Sequence, residues 1–139
     1  MVHALEEIRR VLVPGGVLLD LRPLSVNSPV EVVAGERVMQ AGRLDEPPGD
    51  PDDTAANEAM AHVERAGWFT PERKGAFELA YEWDTPDEMK AYIDERWATG
   101  KLPESVWVEA RRLTATAGAG AKARVLRRMV IARWRKRQT

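Results

Sequence analysis

Apolar side chains recur three to four positions apart at the start of the chain, which predicts an amphipathic helix over residues 2–13. Pro14, Gly15 and Gly16 follow it. They predict a sharp helix end, because proline cannot continue the hydrogen-bond ladder and glycine adopts left-handed conformations. The nearly continuous apolar run over residues 17–21 then predicts a strand covered on both faces, as in a parallel α/β sheet.

Residues 22–53 have a different character, because they are rich in proline, glycine and acidic residues. Within them, two apolar runs over residues 30–33 and 37–40 predict a short hairpin. Residues 45–53, rich in proline and acidic residues, are predicted to form an exposed loop. The segment as a whole is therefore expected to be an insertion made of a hairpin and an acidic loop.

Three helices and two strands are predicted in the rest of the chain. A period of two in hydrophobicity identifies the first of these strands, and capping residues identify the helix starts. We expect the second strand to run antiparallel to the first, so that Glu78 and Glu82 meet arginines across the ladder. The predictions in chain order are a helix from Asp53 or Thr54 to Gly67, a strand over residues 77–83, a helix from Thr85 to Gly100, a helix opened by Pro103, and a strand over residues 125–134.

With 139 residues, 44% of them hydrophobic, the chain is expected to form one domain over residues 1–139. The absence of cysteine excludes disulfides and thiolate metal sites. His3 and His62 lie too far apart in sequence to indicate a zinc module. Apolar runs are too short to span a bilayer and no leader pattern opens the chain, so a cytoplasmic protein without a membrane partner is expected.

Charge is distributed unevenly, although the net charge is only −1. Residues 45–58 contain six acidic and no basic residues, whereas the residues after Glu109 contain many arginines and no acidic residue. A basic end is compatible with phosphate contacts to nucleic acid. No nucleic-acid-binding module accompanies it, so arginines on a solvated strand that pair with acidic neighbours are the favoured interpretation.

The segment over residues 4–20 reads ALEEIRRVLVPGGVLLD, an amphipathic helix followed by a Pro-Gly-Gly turn and an apolar strand. It resembles the helix, turn and fifth strand of class I S-adenosylmethionine-dependent methyltransferases. Ala66-Gly67-Trp68 and the two later strands are similar to the end of the last covering helix and to the closing antiparallel pair of that family. The resemblance covers nearly the whole chain. It implies an α/β fold with a partial Rossmann-like sheet: a parallel strand plus a closing antiparallel pair, covering helices and an inserted hairpin over residues 22–53.

The same resemblance implies that this chain alone holds no cofactor. No metal site is expected either, because the chain lacks cysteine and its two histidines lie far apart in sequence. In the family, a glycine-rich turn and an acidic ribose-binding residue hold S-adenosylmethionine, and both precede the part that is similar to this chain. The cofactor is therefore expected only if a partner completes the site. Gly118 and Gly120 look like a nucleotide loop, but no strand precedes them and a basic strand follows, so a connecting loop is favoured.

Arg22 and Ser25 are the candidate substrate-side residues, because they follow the strand over residues 17–21 and ligands bind beyond strand ends in open α/β sheets. An arginine making only surface hydrogen bonds is the alternative for Arg22. His62 is expected to be a surface or half-buried residue and not a base, because no obvious partner orients it, and no catalytic residue is assigned.

Tryptophan is abundant, with five residues in the chain. Trp83 and Trp97 occupy core positions of their predicted elements. Trp107 and Trp134 are equally compatible with covering a missing neighbour.

Two functions follow as hypotheses. In the first, the chain is a methyltransferase-like protein truncated to its substrate-side half, inactive alone, with a separate chain supplying the N-terminal half and a small molecule as methyl acceptor. In the second, it is a non-catalytic interaction or regulatory protein derived from a methyltransferase. In both, the unpaired edge of the strand over residues 17–21 predicts a homodimer or a contact with another chain.

Overall fold

The computed structural model describes residues 1–24, 26–47 and 51–138. Within these residues the fold is α/β, with four helices and a five-stranded, mostly antiparallel sheet. No helix in the described ranges is long and apolar enough to cross a membrane. The elements in chain order are α1 (Val2–Val11), β1 (Val17–Pro23), β2 (Pro29–Ala34), β3 (Arg37–Arg43), α2 (Pro51–Arg65), β4 (Phe69–Trp83), α3 (Pro86–Arg96), α4 (Glu104–Ala117) and β5 (Lys122–Lys136).

The turn between α1 and β1 has the predicted geometry. Gly15 has a φ of 76°, which favours glycine, and the Gly16 amide donates to the Val13 carbonyl at 2.9 Å. A Cβ atom on Gly16 would lie 2.8 Å from that carbonyl oxygen. Both glycines are therefore required by the reversal from helix to strand.

Strand β5 organises the sheet. It pairs antiparallel with β1, where Leu18 lies opposite Trp134, and with β2, where Val30 lies opposite Val125. Strand β4 also pairs with β5. Contacts between Glu72 and Arg135 and between Asp84 and Lys122, at opposite ends of β4, show that this pair is antiparallel as well.

Strand β1 departs from its prediction. It lies at one end of the strand order with β5 as its described neighbour, and its residues alternate between exposed and half-buried instead of being covered on both faces. The registered strand pairs are antiparallel. The parallel arrangement expected of a Rossmann-like sheet is therefore not confirmed.

The chain divides into two compact units, and β4 and β5 run through both. The first comprises Met1–Leu24, Gly49–Phe77 and Met129–Thr139, and the second comprises Ser25–Pro48 and Glu78–Arg128. Residues 22–53, predicted to be one insertion, are shared between the two units. A single domain over residues 1–139 stays a prediction.

The first unit has a core between α1, α2 and the sheet. Buried side chains from each element meet there, including Leu5, Val63, Phe69 and Trp134. Trp134 is only 3% exposed. It is thus a core residue, which decides the alternative that the sequence left open.

The second unit is built on the predicted hairpin, which is confirmed as β2 and β3. The hairpin is not peripheral, because Val30 and Val32 are buried against Met89 and Ile93 of α3. The predicted start of α3 is also confirmed, since the Thr85 hydroxyl accepts from the Glu88 amide at 3.1 Å. The helix opened by Pro103 is confirmed as α4, and Trp83 and Trp97 pack against this core as expected.

Two acidic residues of the second unit are buried against arginines of β5. Arg124 donates to Glu31 at 2.8 Å, and Arg127 donates to Glu46 at 3.4 Å. The side chain of Glu46 is 3% exposed, so the prediction of an exposed loop is wrong at that residue. The acidic residues of this segment that pair with arginines are those that contact β5, so their place in the fold and not their charge alone decides which of them are buried.

Strand β4 forms ion pairs with arginines of β5, as expected, but through residues other than Glu78 and Glu82. Glu72 pairs with Arg133 and Arg135 in the first unit. Within the described residues, Glu78 and Glu82 form no ion pair with arginine. Strand β4 begins eight residues before the predicted strand, and Glu72, which forms these ion pairs, lies in that extension.

Candidate functional site

A polar pair interrupts the apolar pattern of β1 in the first unit. Asp20 and Arg22 lie on the same face as Leu18, because side chains alternate along a strand. Arg22 donates from Nε to Asp20 Oδ1 and from Nη2 to Oδ2, each at 2.9 Å. Its Nη1 donates to Asn57 Oδ1 of α2 at 3.0 Å. The guanidinium is thereby held between β1 and α2.

This arginine forms part of the wall of a cavity of about 300 Å³. Strands β1, β4 and β5 and helix α2 contribute to the wall. Its volume is at the lower end of the range for small-molecule sites, about 300–1,000 Å³. The lining residues are Asp20, Arg22, Asn57, Met60, Ala61, Glu64, Lys74, Gly75, Val130, Ile131, Ala132 and Trp134.

Two donor side chains of this cavity, Trp134 and Lys74, have no hydrogen-bond acceptor among the described residues. The indole Nε1 of Trp134 is buried without a hydrogen-bond acceptor. The Lys74 ammonium lies 5.8 Å from the centroid of the Trp134 ring, a cation–π distance, and no described carboxylate pairs with it. Lys74 is exposed, so water reaches its ammonium, whereas Trp134 Nε1 is shielded from water.

Formal charges in the cavity wall balance. Asp20 and Arg22 neutralise each other, and Glu64 and Lys74 carry one charge of each sign. Together with the apolar side chains of the wall, this arrangement can hold and orient a small molecule. A set of three metal-ligating side chains does not occur among the described residues.

A second cavity, of about 330 Å³ and mostly apolar, lies between α1, β1 and α2. It shares Asp20, Arg22 and Met60 with the first. Arg22 therefore borders both cavities, one lined with charged groups and the other with leucine and isoleucine side chains.

The sequence-predicted residues are only partly brought together. Arg22 is on the cavity wall, whereas Ser25 lies outside the described residues. His62 is exposed, as expected, and packs edge-on against Trp68. Gly118 and Gly120 connect α4 to β5 in the second unit, in agreement with the connecting-loop interpretation.

Sequence reasoning missed Asn57, Glu64, Lys74 and Trp134 as cavity residues. They come from three elements that are distant in sequence, so no local pattern marks them. One signal was available: Asp20, an acidic residue within an apolar strand and two positions before Arg22, indicates a paired charge on one face.

Comparisons of this chain with protein-family models, with curated proteins and with solved structures find no match.

Proposed function

We propose that residues 1–139 form the substrate-side part of a class I S-adenosylmethionine-dependent methyltransferase. The elements that hold the cofactor would then lie outside these residues, in a partner chain or in another segment of the same protein. Residues 1–139 alone would be inactive.

The observation that carries this proposal is the order of strands around β5. In the methyltransferase-like segment, α1 and its glycine turn lead into β1. Strand β1 pairs antiparallel with β5, and β5 also pairs with β4. A strand followed by a closing antiparallel pair is the arrangement that the sequence resemblance implies. The free edge of β1 is where a parallel neighbour would pair.

The position of Arg22 supports a substrate-side role. It is the sixth residue of the seven-residue strand β1, and in open α/β sheets ligands bind outside the carboxyl ends of strands. Methyl transfer depends on aligning the acceptor with the sulfonium methyl group. A wall that orients a small molecule is therefore sufficient for this part of the enzyme.

The test begins with the DNA upstream of the Met1 codon and in the neighbouring genes. We expect a segment encoding a strand, a glycine-rich turn and a helix. Its product, coexpressed with residues 1–139, should bind S-adenosylmethionine in calorimetry, whereas residues 1–139 alone should not. A saturable micromolar interaction of residues 1–139 alone, about −8 kcal/mol, would contradict the proposed division. A coexpressed pair that fails to bind the cofactor would contradict the methyltransferase proposal itself.

The second candidate function is a non-catalytic interaction protein that pairs through β1. One observation favours it: Val17, Leu19 and Leu21 of this end strand are 37%, 60% and 52% exposed. Such an edge offers unpaired backbone groups beside apolar side chains, and no lysine interrupts it. Pairing of two copies across a two-fold axis would extend the sheet.

A further inference from the structure

A third cavity of the first unit is lined mainly by cations. It lies between α1 and the C-terminal end of β5 and has a volume of about 400 Å³. We call it the basic cavity, because its wall contains Arg9, Arg10, Lys136 and Arg137 and a single carboxylate, that of Glu6. Its position brings together basic residues from the two ends of the described chain.

Most basic side chains of β5 are compensated by carboxylates, whereas those of the basic cavity are not. The residues of β5 that form ion pairs are Lys122, Arg124, Arg127, Arg133 and Arg135. No described carboxylate pairs with Lys136, with Arg137 directly after it, or with Arg9, which lines the same cavity from α1. Three positive charges therefore surround one cavity without acidic partners among the described residues.

Uncharged groups hold these three side chains in place. Lys136 Nζ donates to two main-chain carbonyl oxygens at the C-terminal end of α1, which caps the helix. The guanidinium carbon of Arg9 lies 4.8 Å from the centroid of the Trp68 ring, and Arg137 Nε donates to Thr70 Oγ1 at 3.2 Å. These contacts fix the cations without compensating their charges, so a ligand would not have to order them on binding.

A ligand in the basic cavity can reach these donors. Arg9 and Lys136 are half-buried and Arg137 is exposed. Neither terminal nitrogen of Arg137 donates to an acceptor among the described residues. Water can solvate each donor, but it does not neutralise cations that line one concave surface. Such a surface concentrates the electric field and attracts anions.

We propose that the basic cavity binds a dianionic phosphate group, either free phosphate or a phosphate monoester. Arg10 is already paired with Glu7, and Glu6 offsets one of the three remaining positive charges. The two charges left over match a monoester, which carries about −1.5 to −2 near pH 7. A phosphate diester carries only one charge and fits less well. The inference goes beyond the methyltransferase proposal, because this cavity lies at the start of β1 and Arg22 near its end.

Calorimetry of residues 1–139 at constant ionic strength tests the proposal with inorganic phosphate and glycerol 3-phosphate. We expect both to bind saturably, and the tighter of the two identifies the source of the dianion. Dimethyl phosphate and acetate, which carry one charge each, should bind at least about tenfold more weakly, the equivalent of one charge-assisted hydrogen bond. A ten-nucleotide oligothymidylate that binds more tightly than glycerol 3-phosphate would overturn the proposal in favour of a nucleic-acid interface.

Variants with opposite expected effects separate binding from folding. Arg9→Met and Arg137→Met should each weaken binding of glycerol 3-phosphate about three- to fivefold, and Glu6→Gln should strengthen it about two- to fivefold. A folding defect does not strengthen binding, so Glu6→Gln decides the result if an arginine variant is unstable. Arg128→Met is the matched control, because Arg128 is exposed, forms no described ion pair and belongs to the second unit.

The control removes the same charge away from the cavity and should leave the affinity unchanged. Absence of saturable binding by both phosphates, equal weakening by Arg128→Met and Arg137→Met, or unchanged affinity in Glu6→Gln would contradict the proposal. These measurements do not involve S-adenosylmethionine, so they leave the methyltransferase proposal to its own test.

Discussion

Asp20 and Arg22, two residues apart on one face of β1, form an ion pair through two hydrogen bonds of 2.9 Å each. Their side chains are 16% and 23% exposed. The pair fixes the guanidinium at the boundary of two cavities and directs its remaining group, Nη1, to Asn57. Arg22, the candidate substrate-side residue, is thus also a link between β1 and α2.

Breaking this pair should cost stability. We expect Arg22→Met to lower the free energy of unfolding by about 1–2 kcal/mol, because the half-buried Asp20 carboxylate loses its donors. Urea denaturation measures the change. Arg10→Met is the control, since its pair with Glu7 is on the surface and should contribute less than about 0.5 kcal/mol. Equal effects of the two substitutions would contradict a structural role for the β1 pair.

The glycine turn should tolerate no side chain. Gly16→Val places a Cβ atom 2.8 Å from the Val13 carbonyl oxygen, and Gly15→Ala puts a side chain at a φ of 76°. Each should lower the free energy of unfolding by on the order of 1 kcal/mol or more. Gly75→Ala is the control, because its new Cβ would meet nothing closer than Ile131 at 3.8 Å. Unchanged melting of Gly16→Val would show that the turn serves another purpose.

The β1 edge should mediate association. If two copies pair antiparallel across this edge, Leu19→Lys places like charges near each other on one sheet face and should dissociate the dimer. Sedimentation velocity at several concentrations measures this. Val38→Lys on β3, at the other end of the strand order, changes a valine that is 48% exposed and should leave association unchanged. A wild-type protein that stays a folded monomer of 15.6 kDa at all concentrations rules the dimer out.

Glu72 should contribute to stability in a pH-dependent way. The hydrogen bond from Arg135, together with the charges of Arg135 and Arg133, lowers the pKa of Glu72 below its ordinary value of 4.5. A carboxyl whose pKa is lower in the folded state stabilises that state above its unfolded pKa, and this stabilisation is lost as the pH falls through the folded pKa.

Glu72→Gln should therefore reduce the melting temperature near neutral pH, and its difference from the wild type should shrink as the pH falls below 4.5. Thermal melts at a series of pH values follow the difference. Glu78→Gln on the same strand removes a carboxylate that has no arginine partner in the described chain and should show no such trend. A constant difference for Glu72→Gln would mean that packing, not charge, explains its effect.

Local patterns in the sequence determined most of the elements. The glycine turn, the hairpin, the Thr85 cap and the strand over residues 125–134 were identified because each depends on nearby residues: conformational freedom, alternation, or a side chain that accepts from a backbone amide three positions on. The C-terminal end of β4 was predicted for the same reason, whereas its N-terminal extension was missed because residues 69–76 include proline, charged residues and glycine and lack the alternation.

Only the tertiary structure determined which residues of these elements come into contact with one another. The buried Glu46 accepts hydrogen bonds from Ser28 and from Arg127, eighty-one positions away. The cavity joins β1 and α2 to the distant residues Lys74 and Trp134. The sequence placed Arg22 directly after a strand and Trp134 within one, and in the structure Arg22 is the last residue but one of β1. Only the pairing of β1 with β5 placed Leu18 opposite Trp134, and with it Asp20 and Arg22 on the wall of the cavity that Trp134 also lines. The physical reason is range: helix and turn preferences act over a few residues, whereas strand pairing and burial join residues that no sequence interval relates.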